Sequence, residues 1–364
     1  MEENTNNNSG TYFDALEIPH LINDKSEVYS LIELAMSRGA SDLHLSMGMY
    51  PFIRVEGKLF PLTERPRLTP GYIEKLIYFL ITEEQQQILR DTKELDFSYI
   101  FKDQAFLRAN AFYQKNSLSC VIRLIPAHVK PRESLHLPES INQFAKLHHG
   151  LVLVTGPSGS GKSTTLATMI EEINRTRVAH ILTIEDPIEY VFSPRQSIIN
   201  QREVRHDTLS FKNALRSSLR EDFDVIMIGE LRDLESIEAA LTIAEAGHLV
   251  FATMHAGSAA QAPDRIVNIF PPYYQTQIRN QLSQVLAGVV AQRLLPSVAG
   301  GLIPVTEIVI ANNAVRNLIR EDKTNQIKTV METSRSEGMI TFEQTLTTML
   351  EEGKITEQTV KTMM

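Results

Sequence analysis

One cysteine, Cys120, among 364 residues leaves no pair for an internal disulfide and no Cys-based zinc site. A reducing cytoplasm is the compartment this usage fits most simply. Long apolar runs are missing too, since none approaches the ~18 residues that a membrane-spanning helix needs. Positive charge is in deficit, with 36 Lys and Arg against 44 Asp and Glu, a net charge of −8 and a pI near 5.7. That balance argues against a nucleic-acid motor, which carries a basic footprint. The start of the chain lacks the basic-then-apolar order of a secretory signal. Met1 to Gly10 is Asn-rich and acidic, and reads as a disordered tail. What remains is an ordinary globular balance, 43% hydrophobic and 22% charged, in a length that suits two domains with separate cores.

The segment Gly156-Pro157-Ser158-Gly159-Ser160-Gly161-Lys162-Ser163 has the spacing G-x-x-x-x-G-K-[ST] of a phosphate-cradling loop. It follows the apolar run Leu151–Val154, where a buried strand must turn into a helix. Glycines let the backbone wrap so that its N–H groups converge on a phosphate at a helix N-terminus. Lys162 adds charge over the β- and γ-phosphates, and the Ser163 hydroxyl can ligate Mg²⁺. Leu166, Met169, Ile170 and Ile173 then recur at helical spacing, which separates this pattern from an idle Gly-rich turn.

Along the chain, Val28, Leu31, Ile32 and Ala35 form a helical stripe stopped by Gly39. Short strands follow at 42–45 and 52–55, then a helix pair at 72–80 and 83–90, then strands near 94–100, 106–113 and 119–124. Pro126, Pro131 and Pro138 mark an extended linker. This gives a tail at 1–25, a first domain at 26–125, a linker at 126–140 and a second domain at 141–364. In the last, strand–helix alternation predicts a parallel sheet with strands at 151–155, 180–184, 225–228 and 249–253. From about Thr276 the chain reads as mostly helical: Ile278, Leu282, Val285, Leu286 and Val289 face one way, and Pro296 ends that helix.

A nucleotide hydrolase needs carboxylates to hold Mg²⁺ and to activate water. Two acidic clusters stand at predicted strand ends, where ligands bind in open α/β sheets. Glu185-Asp186-Pro187-Ile188-Glu189 follows one strand, and Gly229-Glu230 closes another in the manner of a Walker B strand. Solvated acidic turns are the alternative for each cluster alone. His248 and His255 bracket the strand at 249–253. A strand-end His can sense phosphate or polarise water, or can equally cap the strand or sit satisfied in the core.

These segments, with Ala40-Ser41-Asp42-Leu43-His44-Leu45, Leu219-Arg220-Glu221-Asp222, Ile228-Gly229-Glu230-Leu231-Arg232-Asp233 and Ala246-Gly247-His248, resemble the type II/IV secretion ATPase superfamily. Within it the chain is most similar to the type IV pilus retraction motors, over about residues 26–345. The resemblance implies a PAS-like α/β first domain and a RecA-like P-loop domain with a mainly parallel sheet and a helical C-terminal part. It implies an ATP- and Mg²⁺-dependent hydrolase in which Gly156, Ser158 to Ser163 and Thr164 bind nucleotide. Glu189 then polarises the attacking water, and Glu230 supports Mg²⁺ together with Ser163. His248 and His255 form a box that reports nucleotide state, with His255 counted among the catalytic groups. Arg108 and Arg123 of the first domain approach the phosphates, though two exposed strand arginines would look the same. Arg265 is a weaker candidate for contact across a ring.

The family works as a hexameric ring with nucleotide between its two domains. Its members act at the cytoplasmic face of the inner membrane on a pilus platform protein, without nucleic acid or a membrane span of their own. Ala314-Val315-Arg316-Asn317-Leu318-Ile319-Arg320-Glu321 resembles the family's retraction-associated segment and departs only at Val315. By pattern alone it is an amphipathic helix with Val315, Leu318 and Ile319 on one face. Phe223 replaces the proline usual after Leu-Arg-Glu-Asp, which puts a turn in question and leaves the following strand intact.

Other classes stay open at this point. Assembly and secretion ATPases of the superfamily usually carry a tetracysteine zinc module and a longer N-terminal region, which one cysteine and a short first domain disfavour. A retraction accessory remains possible on these motifs. A small-molecule kinase would need an acceptor pocket and a lid, for which no motif is present. A nucleic-acid translocase would show DNA- or RNA-stimulated hydrolysis with a steep salt dependence.

Overall fold

The stripe Val28, Leu31, Ile32 and Ala35 is fully buried and builds α1 (Asp24–Ser37). It opens the computed structural model, which describes residues 24–55, 57–102, 105–126 and 129–363. The expected tail therefore lies outside the described residues, apart from its last two positions. After α1 come β1 (Asp42–Leu45), β2 (Phe52–Val55), β3 (Lys58–Pro61), α2 (Pro70–Leu80), α3 (Glu83–Thr92), β4 (Glu94–Phe101), β5 (Ala105–Gln114) and β6 (Ser117–Pro126). They form one sheet in the order β3-β2-β1-β6-β5-β4. The chain divides into two compact units, 24–99 with 107–124, and 100–106 with 125–363.

The first unit's sheet is threaded by local signals. Lys115 and Asn116, at φ 47° and 61°, make the two-residue hairpin turn between β5 and β6. Thr82 starts α3 through a reciprocal capping box with Gln85. β3, exposed at every position, is absent from the sequence reading, because Lys-Leu-Phe-Pro does not alternate into a core.

In the second unit, two turns of 3-10 helix (Arg132–Leu135 and Glu139–Ile141) and α4 (Asn142–Ala145) precede the sheet, with Leu137 and Ile141 buried. Then follow β7 (Gly150–Thr155), α5 (Lys162–Thr176), β8 (His180–Glu185), β9 (Ile198–Glu203), α6 (Phe211–Ser218), β10 (Val225–Ile228), α7 (Leu234–Glu245), β11 (Leu249–Met254), α8 (Ala262–Val267) and α9 (Pro272–Val285). The chain closes with β12 (Leu286–Pro296), β13 (Leu302–Ile310), α10 (Asn313–Arg320), α11 (Ile327–Thr333), α12 (Phe342–Glu351) and α13 (Glu357–Met363).

The sheet order is β13-β12-β7-β11-β10-β8-β9, parallel throughout except for the antiparallel β12–β13 pair. All six residues of β7 are buried, as a parallel strand covered on both faces requires. Val152 and Val154 pack with Leu166, Met169, Ile170 and Ile173 of α5, while Leu151 and Leu153 belong to the core under α7 and α9. Each such fully buried aliphatic side chain is worth about 1.5–3 kcal/mol relative to exposure. The α/β class with a mainly parallel sheet and a helical C-terminal part is thus the architecture expected from the sequence. Among the described residues no helix is long and apolar enough to cross a membrane.

The long helix expected from Thr276 to Pro296 is corrected. α9 stops at Val285, and Leu286–Pro296 is a central strand, paired with β7 on one side and β13 on the other. Leu282, Val285, Leu286 and Val289 fit helical spacing, but Val289 and Val290 are both fully buried, on opposite faces of the sheet. Gly288 shows why the strand lies so deep: a Cβ there would sit 2.3 Å from the Phe144 ring and 2.8 Å from the Val309 carbonyl. β9 and β13 are likewise additions to the sheet read from the sequence.

Candidate active site

Because β7, β8, β10 and β11 run parallel, their C-terminal ends open on the same edge of the sheet, where each hands over to a loop. The loop after β7 is Gly156–Ser163, and α5 begins at Lys162 with no side chain capping its first turn. The first-turn N–H groups, which no intrahelical carbonyl can reach, are therefore left for an anion. The loop is pressed against β12. A Cβ at Gly156, whose φ is +148°, would meet the Gln292 carbonyl oxygen at 2.2 Å. Gln292 is itself buried, accepting from Thr165 Oγ1 (2.6 Å) and donating through Nε2 to Ser160 O (2.7 Å). Ser160 Oγ is buried with no hydrogen-bond partner among the described residues. An unsatisfied hydroxyl, uncapped N–H groups and a cradle too tight for side chains all fit a bound phosphate chain.

Lys162 Nζ donates to the Gly156 (3.0 Å) and Pro157 (2.9 Å) carbonyls. Burial holds its pKa below the usual lysine value, partly opposed by the charges of Glu230 and Glu189. A cleft of about 530 Å³ runs past this loop, lined also by Glu185, Glu189, Tyr190, Glu230, His255 and Leu294. Thr164 Oγ1 lies 2.8 Å from the Tyr190 hydroxyl across it.

Glu230, at the end of β10, accepts from Arg232 Nη2 at 2.7 Å and faces His255 Nε2 at 3.1 Å. Burial alone would raise its pKa, but the Arg232 hydrogen bond and charge, with His255 and Lys162, outweigh burial and keep the carboxyl below its ordinary value. His255 Nδ1 sits 3.1 Å from the Gly156 carbonyl, so the ring bridges the phosphate loop and Glu230. Glu189 is exposed to the cleft, and its backbone N–H donates to Glu185 Oε2 at 3.4 Å.

Glu185 itself is 5% exposed, and burial pushes its carboxyl up to about 7 against the opposing hydrogen bonds of Thr183, Gln201 and the Glu189 amide. The folded state thus holds this proton more tightly than an unfolded glutamate with a pKa of about 4.3. The resulting stability is fully present below about pH 4 and is lost as pH rises through the folded value. Glu185→Gln is expected to flatten the stability profile between about pH 5 and pH 8. Urea denaturation across that range checks it, and an unchanged slope would contradict it.

The structure gathers Ser158–Thr164, Glu189, Glu230 and His255 around one cleft. It keeps His248 apart: this residue precedes β11 at the opposite strand end from His255, and its ring packs at a tilt against Phe223, with centroids 4.6 Å apart. The Phe223 departure therefore fills a packing position, beside Asp222 at φ 48°. Arg265 is exposed on α8 and does not line the cleft. Arg108 and Arg123 lie on β5 and β6 of the first unit, and the cleft's walls all come from the second. Arg123 pairs with Asp42 at 3.1 Å, while Arg108 Nη1 is buried without a hydrogen-bond partner among the described residues. The retraction-type segment forms α10, with Val315 and Ile319 in the core and Arg316 holding the Gln284 carbonyl at the end of α9 (2.5 Å).

Sequence reasoning missed Arg232, Tyr190 and Gln292. A basic residue two places after a strand-end glutamate was an available signal for Arg232. Gln292 offers none, because the apolar residues leading into its strand follow helical spacing.

The family model for type II/IV secretion system proteins matches residues 115–300. A Pseudomonas aeruginosa protein named as the type IV pilus retraction ATPase PilT is 44% identical over 335 residues, which is 92% of this chain and 97% of that relative. A Neisseria gonorrhoeae twitching motility protein is 45% identical over 312 residues, covering 85% and 83%. The crystal structure of the pilus retraction motor PilT with bound ADP aligns at a TM-score of 0.84 and 45% identity, covering 92% of this chain and 96% of that one. With its phosphate loop and acidic strand ends in one cleft, the chain belongs to the type II/IV secretion system protein family and is an ATPase.

Proposed function

We propose that this ATPase powers retraction of type IV pili. The observation that carries the reading is the joining of Lys162, Glu189 and Glu230 in one cleft, in a chain matching 97% of a pilus retraction ATPase at 44% identity. Lys162 and the α5 N-terminus bind the phosphates. Glu189 accepts a proton from the attacking water, which needs an acceptor facing the phosphate chain. One hydroxyl and one carboxylate, Ser163 and Glu230, suit Mg²⁺, which takes few protein ligands and completes its shell with phosphates and water. The metal supplies charge neutralisation at the transferring phosphate. Arg232 and His255 hold the Glu230 carboxylate in place.

The reading includes assembly into a hexameric ring, action on a membrane platform protein at the cytoplasmic face, and approach of Arg108 and Arg123 to the phosphates on ring assembly. It also takes His248 as a report on nucleotide state, acting through β11, and Arg265 as a contact between copies. Domain movement follows from differential affinity: nucleotide favours the arrangement that binds it better, and hydrolysis removes that preference. Deleting the gene tests the reading. Excess surface pili with lost twitching are expected; bald cells would indicate assembly, and unchanged pili and motility would overturn any role in the pilus.

A further inference from the structure

The segment that carries Glu189 from β8 to β9 has no strand or helix of its own, so its backbone groups need partners from elsewhere. Asn174 of α5 serves its far end at Ser193 and Arg195, and three other side chains serve the stretch around Glu189. Ile188 N donates to Glu203 Oε2 (3.0 Å), Glu189 N to Glu185 Oε2 (3.4 Å) and Phe192 N to Gln201 Oε1 (2.8 Å). Gln201 Nε2 in turn donates to the Tyr190 carbonyl (2.8 Å) and to Glu185 Oε1 (3.3 Å), and Thr183 Oγ1 donates to the same Glu185 oxygen (2.6 Å).

The register explains how three side chains converge. β8 and β9 pair in parallel with Thr183 opposite Gln201 and Glu185 opposite Glu203, so all four point to one face of the sheet's edge. Glu185 and Glu203 are almost fully buried. Burying two carboxylates beside each other is costly, and apolar side chains there would favour stability. What the arrangement delivers is a fixed backbone path through residues 188–192, in which Glu189 is the carboxylate facing the cleft, beside Tyr190 and Phe192.

We infer that Gln201 and Glu203 of β9, together with Glu185, are positioning residues that set Glu189 for its reaction with water. The inference rests on the reading of Glu189 as the water-activating group. An edge strand that contributes no residue to the cleft thereby governs the rate there and leaves nucleotide affinity to the phosphate loop. A displacement of about 1 Å at such a group can cost on the order of 100-fold in rate.

The test uses the full chain and single-turnover ATP hydrolysis. Gln201→Leu keeps the side-chain volume and removes every hydrogen bond. It is expected to lower the rate at least about tenfold while the Kd for a fluorescent ADP analogue changes less than about twofold. In a Glu189→Gln background the same change is expected to cost nothing further, because it acts through Glu189. A wild-type rate for Gln201→Leu, or an equal loss with Glu189 already replaced, would overturn the inference. Glu189→Gln alone tests the reading beneath it: undiminished hydrolysis there sinks both. Should Gln201→Leu fail to fold, Gln201→Glu retains the acceptor and drops both amide donors, and is read by the same outcomes.

Discussion

Glu189→Gln is expected to bind ATP at least as well as the native chain and to hydrolyse it about 10²–10⁴ times more slowly. The amide has the size of the carboxylate but cannot take a proton from water. Binding should survive because the phosphate loop, Lys162 and the first turn of α5 owe nothing to Glu189 for their geometry. Affinity should even rise slightly. The Glu189 charge is one of two that oppose the burial of Lys162, and removing it leaves a more positive site for a polyanion. Phosphate release measured beside nucleotide binding separates the two effects. Turnover at the native rate would move the base to another group, with Glu230 the next carboxylate in the cleft.

Gly156→Ala is expected to remove nucleotide binding and to destabilise the second unit by about 3 kcal/mol or more, from backbone strain and overpacking together. Its φ of +148° is one that L side chains rarely adopt, and the added Cβ would lie 2.2 Å from Gln292 O and 2.7 Å from Ser160 Oγ. Neither neighbour is the far end of a long side chain, since one is strand backbone and the other a buried serine hydroxyl. Relief requires the loop to lift from β12, and that breaks the bond from Gln292 to Ser160 O. Gly159→Ala is the comparison. Its φ of +75° is also strained, but nothing lies within 4 Å of the new atom, so its stability loss should be nearer about 1 kcal/mol. Urea denaturation of both variants checks the order, and equal losses would show that the close packing on β12 does not matter.

The phosphate loop, both acidic strand ends and His255 are legible in the sequence because each is a glycine-rich or charged break at the end of a short apolar run. The parts that position them are not. Leu286–Pro296 carries apolar residues that satisfy helical spacing at one end and strand burial at the other, and only Gly288 with the Val289-Val290 pair favoured a strand. Tertiary burial on both faces decided it. β9 was hidden differently, since Asn200-Gln201-Arg202-Glu203 reads as a polar loop. Its side chains satisfy a neighbouring segment's backbone, and hydrogen bonds of that kind leave no periodic trace. His248 and His255 lie seven residues apart in sequence, yet the strand between them sends them to opposite edges of the sheet.

β12 can also be seen as a strut. Its start continues the helix end that Arg316 of α10 grips at Gln284, and eight residues on, Gln292 bears against the phosphate loop. At ~3.3 Å per strand residue, the six steps from Leu286 to Gln292 span about 20 Å along a member paired with β7 on one side and β13 on the other. A strand held in this way neither stretches nor buckles as a loop would. The outer face of α10, where Asn317 and Arg320 are exposed, is thereby joined through one strand to the floor of the phosphate loop.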